Sequence, residues 1–466
     1  MRNLRYLFIL LTIVLLSACA SYYQKNQALM DSIYRGDYAQ ASKQLDEGKL
    51  KKQKRNQLLY FLNKGTVLFM NNQPQESNKY FQQADYFIED YQKNIGLKAA
   101  SFLTNPSIQT YEGENFEKVM VHYYTTLNYL QQGLLDQALV ECKRMQLKLD
   151  KITDYYKGKN KYKNDAFVHL LTGIVYDAQK DFNNAFIAYR NAYKIYNEEY
   201  LTNLNTSVPQ QLKEDLIRTA LLTGFTEEAR QYKNEFNLNH LTLENFKNTS
   251  SLVCFWNNGF GPIKDQWSIN FSITQGANGW VNFVNHDLGL NFPFYAGNDS
   301  KSINSLKVIR VAFPRYISRE PVYENATLTI DSLGIQQKLE LVQNIDKIAY
   351  VSLQDRMLKE LSEALLRLAV KQVAAAQLRK ENDALGSALS VVNAISEQAD
   401  TRNWQTLPNT INYTRVTLPA GLHQTTFKVE KDQLKFNAIV KPGQTTFKVL
   451  QSPYFKGYSS AFHGLE

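Results

Sequence analysis

The sequence predicts an α+β multidomain protein: an N-terminal α-solenoid of repeated helix pairs, then a C-terminal antiparallel β domain interrupted by a long helical segment. Three observations carry that expectation. Small and aromatic residues recur in one arrangement up to Asn248, the hydrophobic period changes to two beyond it, and a helical period returns from Asp346 to Ala399 before a last β-rich stretch. The 466 residues give length for several cores, and 44% apolar with 21% charged residues is the balance of a folded globular chain. A mean hydropathy of −0.40 excludes a polytopic membrane protein, and three cysteines exclude a disulfide-framed scaffold. The expected boundaries are a signal over 1–18, the helical repeats over 19–248, a first β part over 249–345, the helical insertion over 346–400 and a final β part over 401–466.

The first segment reads as a bacterial lipoprotein signal. Arg2 and Arg5 form a positive start, and Tyr6 to Leu16 is an apolar core too short to cross a hydrocarbon layer of ~30 Å. Leu16-Ser17-Ala18-Cys19 follows, with small residues that admit a peptidase and a thiol to take lipid. Several acyl chains on Cys19 give stable anchoring where one is marginal. Ala20 and Ser21 follow instead of an aspartate, which points to the outer membrane, and no acidic run follows Cys19, which points to its periplasmic face. The net charge is +9, but the basic residues are dispersed and the compartment holds anionic lipid and glycan polymers rather than nucleic acid. The densest run, Lys49, Lys51, Lys52, Lys54 and Arg55, reads first as a solvated helix face, with contact to headgroups as the alternative.

The clearest repeat unit contains Gly173, Tyr176, Ala185, Tyr189 and Ala192, with a reversal at Lys180-Asp181. This is the tetratricopeptide pattern, in which small residues let paired helices approach and aromatics fill the space between them. Gly65, Ser77, Phe81 and Ala84 repeat it. The turn-plus-small-residue part returns at Gly36 to Ala41, Gly133 to Ala138 and Gly224 to Ala229. An insertion is expected near Asn94 to Asn115. Such arrays curve, and their inner surface commonly holds a partner's peptide or helix.

Beyond Asn248, Trp267, Ile269, Phe271 and Ile273 alternate with polar residues as a half-buried strand does, and Leu306 to Phe313 and Ala326 to Ile330 read as further strands. Within the insertion, Leu358, Leu361, Leu365, Leu368 and Gln372 are expected along one face of a helical hairpin packed on the β domain, with a partner-facing amphipathic surface as the alternative, and Ala384 to Ile395 is too short to span a membrane. At the end, Gln-Thr-Thr-Phe-Lys-Val occurs at 424–429 and again at 444–449, each copy preceded by turn-formers, which predicts a small antiparallel meander.

Two segments resemble a known family. They are Tyr111-Glu112-Gly113-Glu114-Asn115-Phe116-Glu117 and Asp400 to Pro408 with Leu418-Pro419-Ala420-Gly421. They are similar to a poorly characterised family of bacterial envelope lipoproteins with a tetratricopeptide-like N-terminal half. The resemblance implies envelope or cell-wall work, and that family carries no established catalytic residues to transfer. In the first segment Gly113 permits a sharp turn, and Glu114 and Glu117 suit a helix N-terminus. Tyr111, Glu112, Glu114 and Glu117 are also candidate partner-binding residues.

No histidine pair has metal-ligand spacing, and no nucleophile elbow, phosphate loop or dinucleotide fingerprint is present, so no catalytic residue, metal or cofactor is expected. Cys142 and Cys254 read as buried small hydrophobes, with a disulfide between them as an alternative. The expected function is a non-enzymatic scaffold. Membrane lipid would hold it through Cys19, envelope proteins would bind the helical repeats, and peptidoglycan is a further candidate partner. The alternatives are a cell-wall hydrolase or transferase using carboxylates such as Glu112, Glu114 and Asp299, and an accessory subunit of a secretion complex.

Overall fold

The computed structural model describes residues 22–93, 106–157, 160–162, 164–247, 249–300, 303, 307–381, 398–430 and 432–453. Cys19, the signal, most of the expected 94–115 insertion and the 384–395 segment lie outside the described residues. An N-terminal helical region is followed by a C-terminal sheet region. Ten of the described helices pair in sequence. They are α1 (Gln27–Tyr34) with α2 (Tyr38–Glu47), α3 (Gln57–Met70) with α4 (Pro74–Lys93), α5 (Asn115–Gln131) with α6 (Leu135–Tyr155), α7 (Ala166–Ala178) with α8 (Phe182–Ile195), and α9 (Gln210–Thr223) with α10 (Thr226–Phe236).

The five pairs share one turn. Gly36, Asn72, Gly133, Lys180 and Gly224 all take positive φ. The N–H of the next residue returns to a helix carbonyl each time, from Asp37 to Ser32, Gln73 to Leu68, Leu134 to Tyr129, Asp181 to Tyr176 and Phe225 to Ala220. A left-handed residue closing a helix in this way is the usual stop signal. Aspartates start the next helix where they are present: Asp37 accepts from the Gln40 N–H and Asp181 from the Asn184 N–H. The small residue after each turn, Ala41, Ser77, Ala138, Ala185 or Ala229, is fully buried.

Close approach within two pairs depends on a missing side chain. A Cβ on Gly65 would lie 2.8 Å from the Phe81 ring, and one on Gly173 would lie 2.5 Å from Tyr189. Ala84 and Ala192 are fully buried beside these contacts, and Tyr176 is half-buried against the same core. Gly173→Ala is therefore expected to lower stability by about 1–3 kcal/mol through overpacking. The unfolding midpoint in urea measures it. A single variant as stable as the parent would refute this steric account.

Eleven described strands form two sheets. The larger has the order β10-β9-β6-β7-β8-β1-β11, and the smaller β4-β3-β2-β5. The first part supplies β1 (Ser250–Asn258), β2 (Ile263–Gln275), β3 (Trp280–Asn285), β4 (Leu290–Tyr295), β5 (Val308–Ile317), β6 (Ala326–Ile330) and β7 (Ile335–Asn344). After α11 (Ile345–Glu381) come β8 (Thr410–Leu418), β9 (Gly421–Val429), β10 (Asp432–Val440) and β11 (Thr445–Ser452). The larger sheet is curled, and the Thr446 hydroxyl of one edge strand donates to the Ile439 carbonyl of the other at 3.0 Å. All nine residues of β1 are buried because both its faces are covered. Leu252, Cys254 and Trp256 point into the curl with Leu328 and Phe427, while Val253 and Phe255 join the core shared with the helices.

Two expectations change here. The C-terminal meander stops after β10, because β11 pairs with β1 in parallel instead of continuing beside β10. Leu358 is also off the packed face of α11 and exposed, whereas Leu361, Leu365, Leu368 and Gln372 are buried.

Candidate functional site at the junction of helices and sheet

Trp404 locates the junction. It lies in an irregular segment ahead of β8, against residues of α3, α4 and α5. Its ring sits 5.8 Å from Phe81 and 5.5 Å from Tyr124. The indole N–H donates to the Thr66 hydroxyl at 3.0 Å and to Thr406 at 2.9 Å, and Thr406 donates to Asn63. Arg402, two residues earlier, is held by Asp400 and donates to Asn56 and to the carbonyls of Arg55, Pro106 and Gln109. The chain's own segment from Arg402 to Thr406 thus packs into the helical region.

The Tyr111–Glu117 block faces the same segment. Glu117 accepts from the Trp404 N–H at 2.7 Å, the Tyr111 hydroxyl at 2.6 Å and the Glu114 N–H at 3.0 Å, the last being one arm of a capping box at the start of α5. Burial and the neighbouring Glu114 charge push Glu117 up to about 7 despite these donors. Glu114 pairs with Lys264 of β2 and Arg356 of α11. Burial alone would raise its pKa, but the two cations hold it well below the usual carboxylate range. Tyr111, Glu114 and Glu117, named above as candidate partner-binding residues, are buried and bonded to this chain's own residues, and Tyr111 and Glu114 also line the cleft described below. Glu112 is half-buried.

A second knot ties β8 to the helical region at α7 and α9. Arg415 of β8 reaches Asp177 of α7 at 2.8 Å and Asp215 of α9 at 3.0 Å, and Arg218 pairs with both carboxylates. The Tyr413 hydroxyl donates to Asp215 at 2.6 Å and that of Tyr189 to Asp177 at 3.1 Å. Tyr189, singled out as a packing residue, thus also holds a charge. Between the two knots, Tyr123 donates to Asn257 at 2.6 Å, and Gln343 donates to Asp165 at 2.8 Å. Sequence reading missed Arg415, Asp177 and Trp404 as a linking set; the available signal was a charge inside an otherwise apolar run, as at Asp177.

Within the helical region itself, His122 lies between Glu141 at 2.7 Å and Asp85 at 3.5 Å. Burial would lower its pKa, but the two carboxylates raise it. Lys148 closes this cluster against Asp85 at 2.9 Å and Glu89. Cys142 and Cys254 are unbonded and buried in different cores, and burial pushes both thiols up to about 12.

One cleft of about 530 Å³ opens at the junction, with Glu112, Lys118, Tyr155, Tyr156, Lys359 and Glu360 among its lining. Tyr155 is 64% exposed at this cleft, with the Lys359 ammonium 4.6 Å from its ring centre. Burial raises the pKa of Glu360 even though Arg356 lies 2.7 Å away. Glu112 and Glu114 share the cleft, whereas Asp299 lies in the turn Gly297–Asp299 after β4 and is not part of its lining. Among the described residues no group of three or more histidine, cysteine or acidic side chains is placed to hold a metal, and no helix is long and apolar enough to cross a membrane.

No family model and no curated protein matches the chain. Among solved structures, the apo form of RapI is similar at 16% identity and a TM-score of 0.34, over 47% of this chain and 53% of that one. The chain thus spans about half the length of that protein.

Proposed function

We propose that this chain is a lipid-anchored envelope scaffold, acylated at Cys19 on the periplasmic face of the outer membrane, that binds a partner protein and performs no chemistry on it. The five helix pairs with one turn geometry and one buried small residue support reading the helical region as a tetratricopeptide-like array. The observation that carries the proposal further is Trp404 seated among the array's helices. That contact fills the usual ligand surface from within, and it fuses helices and sheet through buried bonds. Recognition then falls to the composite cleft at the junction, where Tyr155 offers an exposed aromatic anchor among charges of both signs.

A photo-crosslinking residue at Tyr155 tests this in intact cells, with the same residue at Tyr86, 68% exposed on α4, as control. The expected result is a discrete adduct to an envelope protein from position 155 and none from 86. No adduct, or the same adducts from both, overturns the cleft as partner site. Cells labelled with an alkynyl fatty acid test the anchor separately: label on the parent and none on Cys19→Ala supports it, and an unlabelled parent refutes it.

A further inference from the structure

We propose that a second groove, beside the start of the described chain, binds an anionic phospholipid. The groove measures about 750 Å³, and its lining includes Tyr22, Lys25, Lys49 and Arg55 with Leu29 and Leu50. Charge and apolar surface are separated within it. Leu29, Leu45 and Leu50 are buried in its floor, while Lys25 and Lys49 are exposed and Arg55 half-buried. None of these three cations makes an ion pair among the described residues. The acids of the lining are already neutralised, Asp265 by Arg315 at 3.1 Å and Asp400 by Arg402 at 2.7 Å. The groove is left with uncompensated positive charge above an apolar floor, which complements a phosphodiester with an acyl chain.

The dense basic run supplies Lys49 and Arg55, so the fold brings that run against Tyr22. Tyr22 follows Cys19 by three residues, a span of at most about 10 Å. This inference rests on the lipid-anchored reading. A groove that close to an acylated residue lies within about a Debye length of the membrane surface, where each cation attracts anionic headgroups. Lipid binding here would orient the molecule on the leaflet that its acyl chains hold.

The test uses the mature full chain with Cys19→Ser, so that no covalent lipid contributes. Sedimentation with sucrose-loaded vesicles of phosphatidylcholine alone, or mixed with phosphatidylglycerol, reads partitioning. Binding is expected only to the mixed vesicles. Lys25→Glu, Lys49→Glu and Arg55→Glu should each weaken it roughly fivefold, and together by about a hundredfold or more. Reversing Arg230 and Lys233 on the distant α10 should change it little. Equal loss from that distant pair, unchanged binding by the triple variant, or equal binding to neutral vesicles overturns the proposal. So does displacement by inorganic phosphate in a chain that ignores vesicles, which would mark a phosphate site only. Thermal melts establish that the variants fold. Because the chain tested carries no acyl group, failure here leaves the fatty-acid labelling of Cys19 to be judged independently.

Discussion

Trp404→Ala is expected to lower the stability of the protein by about 3–5 kcal/mol, the cost of emptying a fully buried aromatic site. The ring fills space between Phe81 and Tyr124, and Phe81 itself is pressed against Gly65. Collapse around the void is therefore resisted by an already tight helix pair. Truncation also leaves the Thr66 hydroxyl without the indole donor. Trp404→Phe keeps the six-membered ring but loses the N–H and part of the packing, so a smaller cost of about 1–3 kcal/mol is expected from it. Urea unfolding midpoints measure both variants. Limited proteolysis adds a second readout, because the segment joining Ala399 to Asn409 should become cleavable in the alanine variant. An alanine variant within 1 kcal/mol of the parent would mean that the Trp404 segment does not bind the two regions together.

The helix pairs were legible because their signals are local: a turn residue, a small residue five positions later and an aromatic filling the gap. Which distant segment packs against them was not. Glu117 was readable as a polar residue awaiting a partner, but that partner is the backbone of Trp404, 287 positions away. The repeated Gln-Thr-Thr-Phe-Lys-Val shows the same limit. In β9 its Phe427 and Val429 point into the curled sheet, whereas in β11 Phe447 and Val449 pack toward the helices. One hexapeptide thus serves opposite faces of one sheet, because register and pairing partner decide which face is buried. The parallel pairing of β11 with β1 joins strands far apart in the chain, which no turn signal announces. At the candidate site, Glu114 and Glu117 were legible as helix-starting residues, while Lys264 and Arg356, which neutralise Glu114, had no sequence signal linking them to it.

Arg415→Met is expected to cost about 3–5 kcal/mol at neutral pH, because it leaves buried carboxylates short of a cation. In the parent, Asp177 and Asp215 face Arg415 and Arg218, with Asp177 only 3% and Asp215 only 1% exposed. Burial would raise the Asp177 pKa, but Arg218 and Arg415 hold it below the ordinary value. A carboxyl lowered in this way stabilises the fold above its unfolded pKa of about 4 and loses that contribution as pH falls through the folded value. Without Arg415 the sign reverses for whichever carboxylate is left unpaired. Its pKa rises, and the penalty is present at neutral pH and relieved as the group takes up a proton. The deficit of the variant relative to the parent should therefore shrink as pH is lowered from 7 toward 4. Thermal melts across that range measure it, and a deficit that stays constant would show that lost packing, not charge, sets the cost. A further arm separates the pair from its parts. Adding Asp215→Asn to Arg415→Met removes one orphaned charge, so the double variant should be less destabilised than the sum of the single changes. Strict additivity would mean that β8 and the helices α7 and α9 are not coupled through this knot.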